Sequence, residues 1–275
     1  MITKYLEDFD IHQIAASGQC FRLRPLSEDT YSLIASGRYL EIRQEEVLDE
    51  DGARVSFSCT EEEFEEIWED YFDLSTDYGR MKRAIDPKDF YLQEAARTGA
   101  GIRILRQELW ETIITFIISQ QNNIPRIQKC VDAICREFGE TAEEPGVGTY
   151  KIFPTAGALA AVPEEEFRRL GLGYRAPYLS KSSRMLLTGE VDMESLPDLS
   201  YEDARAQLLR LPGVGKKVAD CICLFALHHI EAFPIDTHIK DMLARYKEGF
   251  PFERYDGFAG VIQQYAFYYE LHGGK

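Results

Sequence analysis

The sequence predicts an α+β fold, with a twisted antiparallel β-sheet unit at the N-terminus followed by a helical region. Two observations carry the prediction. Short runs rich in β-branched and aromatic residues, separated by turn residues, fill roughly the first 60 positions. From about Leu105 the apolar period lengthens to that of a helix. The strand runs are Cys20-Phe21-Arg22-Leu23, Thr30 to Ala35, Tyr39 to Arg43 and Arg54 to Cys59, broken at Pro25, Gly37 and Asp51-Gly52. That spacing predicts a meander. Thr60 then opens a helix as N-cap, with Glu63 completing a capping box ahead of Phe64, Ile67 and Tyr71. Leu109, Ile113, Phe116 and Ile117 form one helical stripe, and Ile127, Val131, Ile134 and Phe138 form a second, ended by Gly139. Further helices are expected near 163-170, 174-188, 202-209, 215-227, 237-246 and 256-271. No strand signal returns after residue 100, so the two units are read as 1-98 and 99-275, the second all-α. No internal repeat is present.

Composition and charge narrow the function classes. With 45% hydrophobic and 12% aromatic residues the chain can bury a real core, which excludes a disordered solvating segment. The 47 acidic against 31 basic side chains leave a net charge of -16, at face value an argument against nucleic acid and membrane surfaces alike. The charge is concentrated, however. Glu41 to Asp77 holds 15 acidic residues and only Arg43 and Arg54 as bases, while the other 238 residues carry a net of just -3. The total therefore does not veto a polyanion partner, and the acidic stretch reads as a solvated face of the first unit. The six cysteines lack any C-x-x-C pair, which predicts no metal site and a reduced, cytoplasmic protein. Acid at Glu7 comes too early for a secretory segment. Apolar runs such as Ile113 to Ile118 fall far short of the about 20 residues that span a bilayer, so no membrane partner is expected. Monomer is the default state.

The most informative segment runs from Leu208 through Leu211-Pro212-Gly213-Val214-Gly215-Lys216-Lys217 to Asp220. One helix ends, Pro-Gly-Val-Gly turns the chain, and a second helix starts at once. Gly213 and Gly215 let a partner approach the backbone, and the unpaired N–H groups of the new helix make a phosphate seat. A merely compact turn is the plain alternative. Lys217 lies in the first turn of that helix, where the dipole and Lys216 both disfavour a further positive charge. A neutral amine so placed can act as the nucleophile of Schiff-base chemistry. Downstream, Phe233-Pro234-Ile235-Asp236-Thr237-His238 reads as a helix start with Asp236 as N-cap, a role sufficient by itself to explain the residue.

The pattern L-P-G-V-G-x-K-V-A-D followed by P-x-D-x-H resembles the helix-hairpin-helix DNA glycosylase superfamily, and within it the 8-oxoguanine DNA glycosylases. The likeness extends to Gly18-Gln19-Cys20-Phe21-Arg22, Asn122-Asn123-Ile124-Pro125-Arg126-Ile127, Gly171 to Ala176, Cys221-Ile222-Cys223 and Gln263 to Phe267. It implies a two-lobed helical domain with the hairpin at about 202-227. It also implies a base excision repair enzyme that flips oxidised guanine out of double-stranded DNA and needs no cofactor. Lys217 would attack C1′ and Asp236 would assist. The imine would then be resolved by β-elimination, an AP lyase step. The Gly18 carbonyl would meet the N7–H that marks the oxidised base, Cys221 and Phe267 would sandwich it, and Gln263 would reach its Watson-Crick edge. Gln121, Asn122 and Asn123 would face the DNA, Tyr174 would wedge into the stack, and Arg126 and Arg175 would contact the opposite cytosine. His238 would touch a phosphate or make a structural hydrogen bond.

By composition alone Phe267 would be core and Cys221 an ordinary buried thiol. The chain departs from the best-known members, which carry three asparagines where it has Gln121-Asn122-Asn123, and this puts selectivity for opposite cytosine in question. Two other readings stand beside the first: a relative acting on another damaged or mismatched base, and a non-catalytic DNA-binding scaffold. The absence of cysteine after Cys223 counts against the iron-sulfur branches. If the first reading holds, the acidic block faces away from the duplex and binding weakens with salt.

Overall fold

Five antiparallel strands build the sheet in the order β1-β5-β4-β3-β2: β1 Ile2–Glu7, β2 Arg24–Pro25, β3 Thr30–Ala35, β4 Arg38–Gln44 and β5 Gly52–Phe57. The structure, a computed structural model, describes residues 1–45 and 52–273; the expected break at Asp51 and the acidic positions Glu46, Asp49 and Glu50 lie outside the described residues. The meander is present, with two corrections. Strand β1 was not expected. It pairs along all of β5, Ile2 opposite Phe57 and Glu7 opposite Gly52, yet its inner positions include Lys4 while Tyr5 is exposed, so it lacks the apolar alternation that marks a strand. The expected strand Cys20–Leu23 is absent. Those four side chains are all buried, which a strand with one solvated face cannot achieve, and only Arg24–Pro25 pairs with β3. Thr60 caps its helix as expected, its Oγ1 accepting from Glu63 N at 3.1 Å, but the Glu63 carboxylate accepts from Trp68 Nε1 instead of closing a capping box.

A third correction concerns the second region, which is not all-α. β6 (Thr141–Glu144) and β7 (Gly148–Lys151) form a hairpin across Gly146, whose φ is +84°. Its strands carry Ala-Glu-Glu and Gly-Thr-Tyr-Lys and are largely solvated, so no apolar pattern announces them.

The compact units also differ from the expected 1-98 and 99-275. The first comprises Met1–Ser32, Leu40–Arg106 and His228–Lys275; the second comprises Leu33–Tyr39 and Gln107–Leu227. The physical reason lies in the last helix, Ala259–His272, which packs on the helix Phe90–Thr98. Tyr91 Oη donates to Glu270 at 2.7 Å, and Gln264 Nε2 donates to the buried Ser17 carbonyl at 2.7 Å. The C-terminal segment thus completes the core around Phe57, Trp68, Phe72, Tyr78 and Tyr265. Conversely, the β3–β4 turn joins the helical unit, where Tyr150 Oη donates to the Gly37 carbonyl at 3.0 Å.

The helical unit holds Leu109–Ser119, Ile124–Phe138, Ala176–Leu187, Tyr201–Leu208 and Lys216–Phe225, with shorter helices at Ala156–Ala160 and Glu164–Arg169. Ile113, Phe116, Ile117, Ile127, Val131 and Ile134 of the two expected stripes are buried. No described helix is long and apolar enough to cross a membrane.

Candidate nucleic-acid interface

In the helical unit the hairpin is rigid on one side and open on the other. Tyr201 Oη at 2.9 Å and Arg205 Nε both donate to the buried Asp220 carboxylate, tying the two hairpin helices together. Gly213 has φ +86°, and a side chain there would strike Tyr178 at 2.7 Å. The turn is gripped from behind, since the Pro212 carbonyl accepts from Ser182 Oγ at 2.9 Å and the Gly213 carbonyl from Gln120 Nε2 at 2.7 Å. On the open side, Gly215 begins the helix without any side-chain cap, and nothing lies within 4 Å of where its Cβ would stand. The first N–H groups of the helix are left without side-chain acceptors, the geometry that receives a phosphate oxygen.

Lys217 stands in the first turn, half-buried, with Nζ 5.3 Å from the centroid of the Phe116 ring. Phe116 is itself buried and stacks on Phe225 at 5.5 Å. The ring limits where the amine can go, a restraint the sequence reading missed; only the apolar stripe pointed to Phe116. Cys221 follows one turn later at 2% exposure and in no disulfide.

The second opening in this unit is the loop after Ser119. Gln121 holds φ +46°, a left-handed backbone that costs a non-glycine residue roughly 1–2 kcal/mol. Asn122 Nδ2 donates to the Ile118 carbonyl at 3.1 Å, and Asn123 caps the next helix by accepting from Arg126 N at 3.0 Å. The Arg126 side chain is exposed and pairs with no carboxylate among the described residues. Tyr174, 47% exposed, projects at the start of the next helix and donates from Oη to the Gln120 carbonyl at 3.1 Å. Arg175 departs from expectation. Far from reaching outward, it is 4% exposed and donates to the carbonyls of Gln120 at 3.1 Å and Gln121 at 3.2 Å, its guanidinium 4.5 Å over the Tyr174 ring. Unpaired loop carbonyls attract a guanidinium more strongly than water does once the site is buried.

The remaining candidates belong to the sheet-containing unit. Gly18 has φ +76° and lies between buried Ser17 and Gln19. Gln19 locks the segment: Nε2 donates to Ser17 Oγ at 2.8 Å and to the Arg103 carbonyl at 2.9 Å, and Oε1 accepts from Leu105 N at 2.8 Å. The Gly18 carbonyl accepts no hydrogen bond among the described residues. Gln263 is 4% exposed, and its Oε1 is buried with no partner. A buried, unsatisfied amide oxygen is costly and rare, and a ligand is one thing that satisfies it. Phe267, one turn on, is half-buried rather than core and meets the His238 ring edge-on at 6.0 Å. Asp236 caps Thr237–Leu243, Oδ1 accepting from Ile239 N at 2.9 Å. No described group of three or more His, Cys, Asp or Glu could hold a metal ion.

Comparison with known proteins gives these features a family. Residues 1–113 match the N-terminal domain of 8-oxoguanine DNA glycosylase, and residues 114–249 match the HhH-GPD superfamily of base excision DNA repair proteins. The 8-oxoguanine glycosylase/lyase of Clostridium acetobutylicum, solved with double-stranded DNA containing cytosine opposite 8-oxoguanine, is 32% identical, with a TM-score of 0.89 over 100% of this chain and 99% of that one. The chain belongs to the 8-oxoguanine DNA glycosylase family. Among curated members of the family, the N-glycosylase/DNA lyase of Saccharomyces cerevisiae is 39% identical over 53% of this chain, and that of Arabidopsis thaliana is 33% identical over 84%. The matches span 42% and 64% of those two glycosylases, so the chain matches about half the length of these longer family members. The family models together span residues 1–249, which hold the hairpin, the Gly18 segment and the Gln121–Asn123 loop.

Proposed function

We propose that the protein is a bifunctional DNA glycosylase that extrudes and excises 8-oxoguanine from duplex DNA and then nicks the strand. The observation that carries the reading is Lys217, an amine held over Phe116 at the start of an uncapped hairpin helix. In this reading the hairpin N–H groups seat a phosphate, which positions the duplex without reading its sequence. Lys217 Nζ, as the free amine, attacks C1′ while the N-glycosidic bond breaks and the base leaves with its electron pair. Asp236, with Oδ2 free of the capping bond, offsets the positive charge that develops on the sugar. The amine adduct opens the ring to an imine. Loss of a 2′ proton then expels the 3′ phosphate, which is β-elimination.

The pocket contacts follow the same reading. The open Gly18 carbonyl accepts from N7–H of the oxidised base, and the unpaired Gln263 Oε1 accepts from its Watson-Crick edge. Both acceptors lack protein partners among the described residues, which supports a ligand that donates to them. Sodium borohydride reduces an imine to a stable amine, so the protein incubated with a duplex holding one 8-oxoguanine should be trapped covalently on DNA. Lys217→Gln should abolish the adduct, and its persistence would overturn the assignment. Asp236→Asn keeps the cap and removes the charge, so it should slow excision more than it weakens DNA binding. Presenting the lesion opposite each base in turn separates this reading from an enzyme for another lesion and from a silent scaffold.

A further inference from the structure

The hairpin, the Gln121–Asn123 loop and the Tyr174–Arg175 turn, three segments of the helical unit that the family resemblance turns toward DNA, are joined through one residue to which it gives no role. Gln120 follows the last turn of Leu109–Ser119. Its Nε2 donates to the Ile117 carbonyl at 3.0 Å and to the Gly213 carbonyl at 2.7 Å, so its side chain bridges its own helix to the hairpin turn. Its main-chain carbonyl accepts from Tyr174 Oη at 3.1 Å and from Arg175 Nε at 3.1 Å. The circuit closes on the far side. Tyr174 meets Tyr178 edge-on at 6.2 Å, and Tyr178 is the side chain pressed against Gly213. A closed ring of contacts therefore runs from Gln120 to Gly213, to Tyr178, to Tyr174 and back to Gln120.

We propose that Gln120 is a positioning residue that sets the register between the phosphate-seating hairpin and the loop that meets the opposite strand. The proposal rests on the glycosylase reading and deepens it. The hairpin binds phosphates without regard to sequence, whereas Gln121, Arg126 and Tyr174 respond to what the duplex presents. Selectivity requires that both engage one duplex at once, which depends on their mutual spacing. Gln120 holds that spacing twice, through its side chain on the hairpin turn and through its carbonyl on the Tyr174–Arg175 turn. It also anchors the left-handed backbone at Gln121, because the peptide carbonyl entering that residue is fixed by donors from two side chains. A residue contributing only stability would need one of these links, and a side chain facing outward would make neither.

Gln120→Met tests this, because Met is of similar length and lacks the donor, and Gln120→Asn tests it independently, being too short to span. Affinity is measured for an undamaged duplex and for a duplex with 8-oxoguanine opposite cytosine, alongside the melting temperature. The expected result is unchanged affinity for undamaged duplex and a loss of about fivefold in the lesion-to-undamaged ratio, the scale of one hydrogen bond. The preference among opposite bases should flatten with it. An unchanged ratio in both variants would overturn the proposal. So would an equal fall in both affinities, which would make Gln120 a support of the seat alone. If the unaltered protein shows no lesion preference at all, the glycosylase reading itself fails and this one falls with it.

Discussion

Gln263 makes opposite predictions for stability and activity, and both follow from its Oε1. In the free protein this oxygen is buried and unpaired on a residue 4% exposed. An unsatisfied buried acceptor costs about 1–3 kcal/mol relative to a paired one. Gln263→Met keeps the length and removes the amide, so the folded state should be unharmed or gain up to about 1 kcal/mol, which for a protein of this size is about 2–4 °C in melting temperature. Excision should move the other way. Loss of one or two hydrogen bonds to the base edge, each about 1–1.5 kcal/mol, lowers the single-turnover rate or lesion affinity by about 10- to 100-fold. Calorimetry and single-turnover excision on 8-oxoguanine opposite cytosine measure the two. A fall of several degrees with excision intact would show that the amide supports the fold and would refute its role in the pocket.

The hairpin glycines separate in the same manner. Gly213→Ala forces a Cβ against Tyr178 from a left-handed backbone and should cost about 2 kcal/mol or more. Gly215→Ala has ordinary φ and open space, so its melting temperature should hold while duplex binding falls; equal stability losses would contradict the distinction. Asp73 predicts an acid limit. Burial alone would raise its carboxyl, but hydrogen bonds from His228, Tyr78 and Thr76 and the charge of His228 hold it below the ordinary value. The stability it contributes is present above the unfolded value of about 4 and is lost as pH falls through the lower folded value. Asp73→Asn should therefore melt lower at neutral pH and lose less on acidification from about pH 5 to 3, and parallel curves would argue otherwise. Arg126, Lys216 and Lys217 pair with no carboxylate among the described residues. Displacing counterions at Arg126 and Lys216, with Lys217 reserved for the nucleophile, should give log affinity a slope of about -2 against log salt, reduced by about 1 in Arg126→Gln, and a flat dependence would contradict phosphate seating.

Much of the helical unit was legible in the sequence because its signals are local. Gly139, Asn123 and Asp236 end or begin helices through their own backbone and side chains, and the stripe through Ile113 and Ile117 needs no partner to be seen. The hairpin was legible for the same reason: Pro-Gly-Val-Gly dictates a turn, and the helix after it must start unblocked. The return of residues 228–273 to the sheet unit was not legible. It depends on Gln264 meeting Ser17 and Glu270 meeting Tyr91, contacts between positions 247 and 179 apart. Strand β1 was hidden because Lys4 sits inward, pairing with Glu61, and Tyr5 outward. Among site residues, the types Lys217, Asp236, Gln263 and Phe267 could be picked from motifs, but their environments could not. That Phe116 lies beneath the amine, that Oε1 of Gln263 is unpaired and that Arg175 turns inward are all tertiary facts.

Arg175 and the net charge together bear on how an acidic chain can seat a polyanion. The helical unit, residues 33–39 and 107–227, carries 17 acidic side chains against 14 basic, so most of the -16 belongs to the other unit. Within the helical unit several acids are committed to neighbouring arginines. Glu164 holds Arg168, Glu166 holds Arg169, and Asp220 holds Arg205. Arg175, which charge counting would assign to DNA, is spent on loop carbonyls. At the loop and the hairpin themselves, Arg126 and Lys216 stand without a carboxylate partner among the described residues, beside the unblocked N–H groups after Gly215. At physiological salt, charges more than about 8 Å from a contact are largely screened, so these few groups decide the local potential and the total does not. Affinity built on so few contacts is modest for undamaged duplex. In the proposed reading, the surplus that selects 8-oxoguanine over guanine comes from the Gly18 carbonyl, which N7–H of the oxidised base completes and guanine leaves unsatisfied, while Gln263 Oε1 pairs with the edge that both bases share.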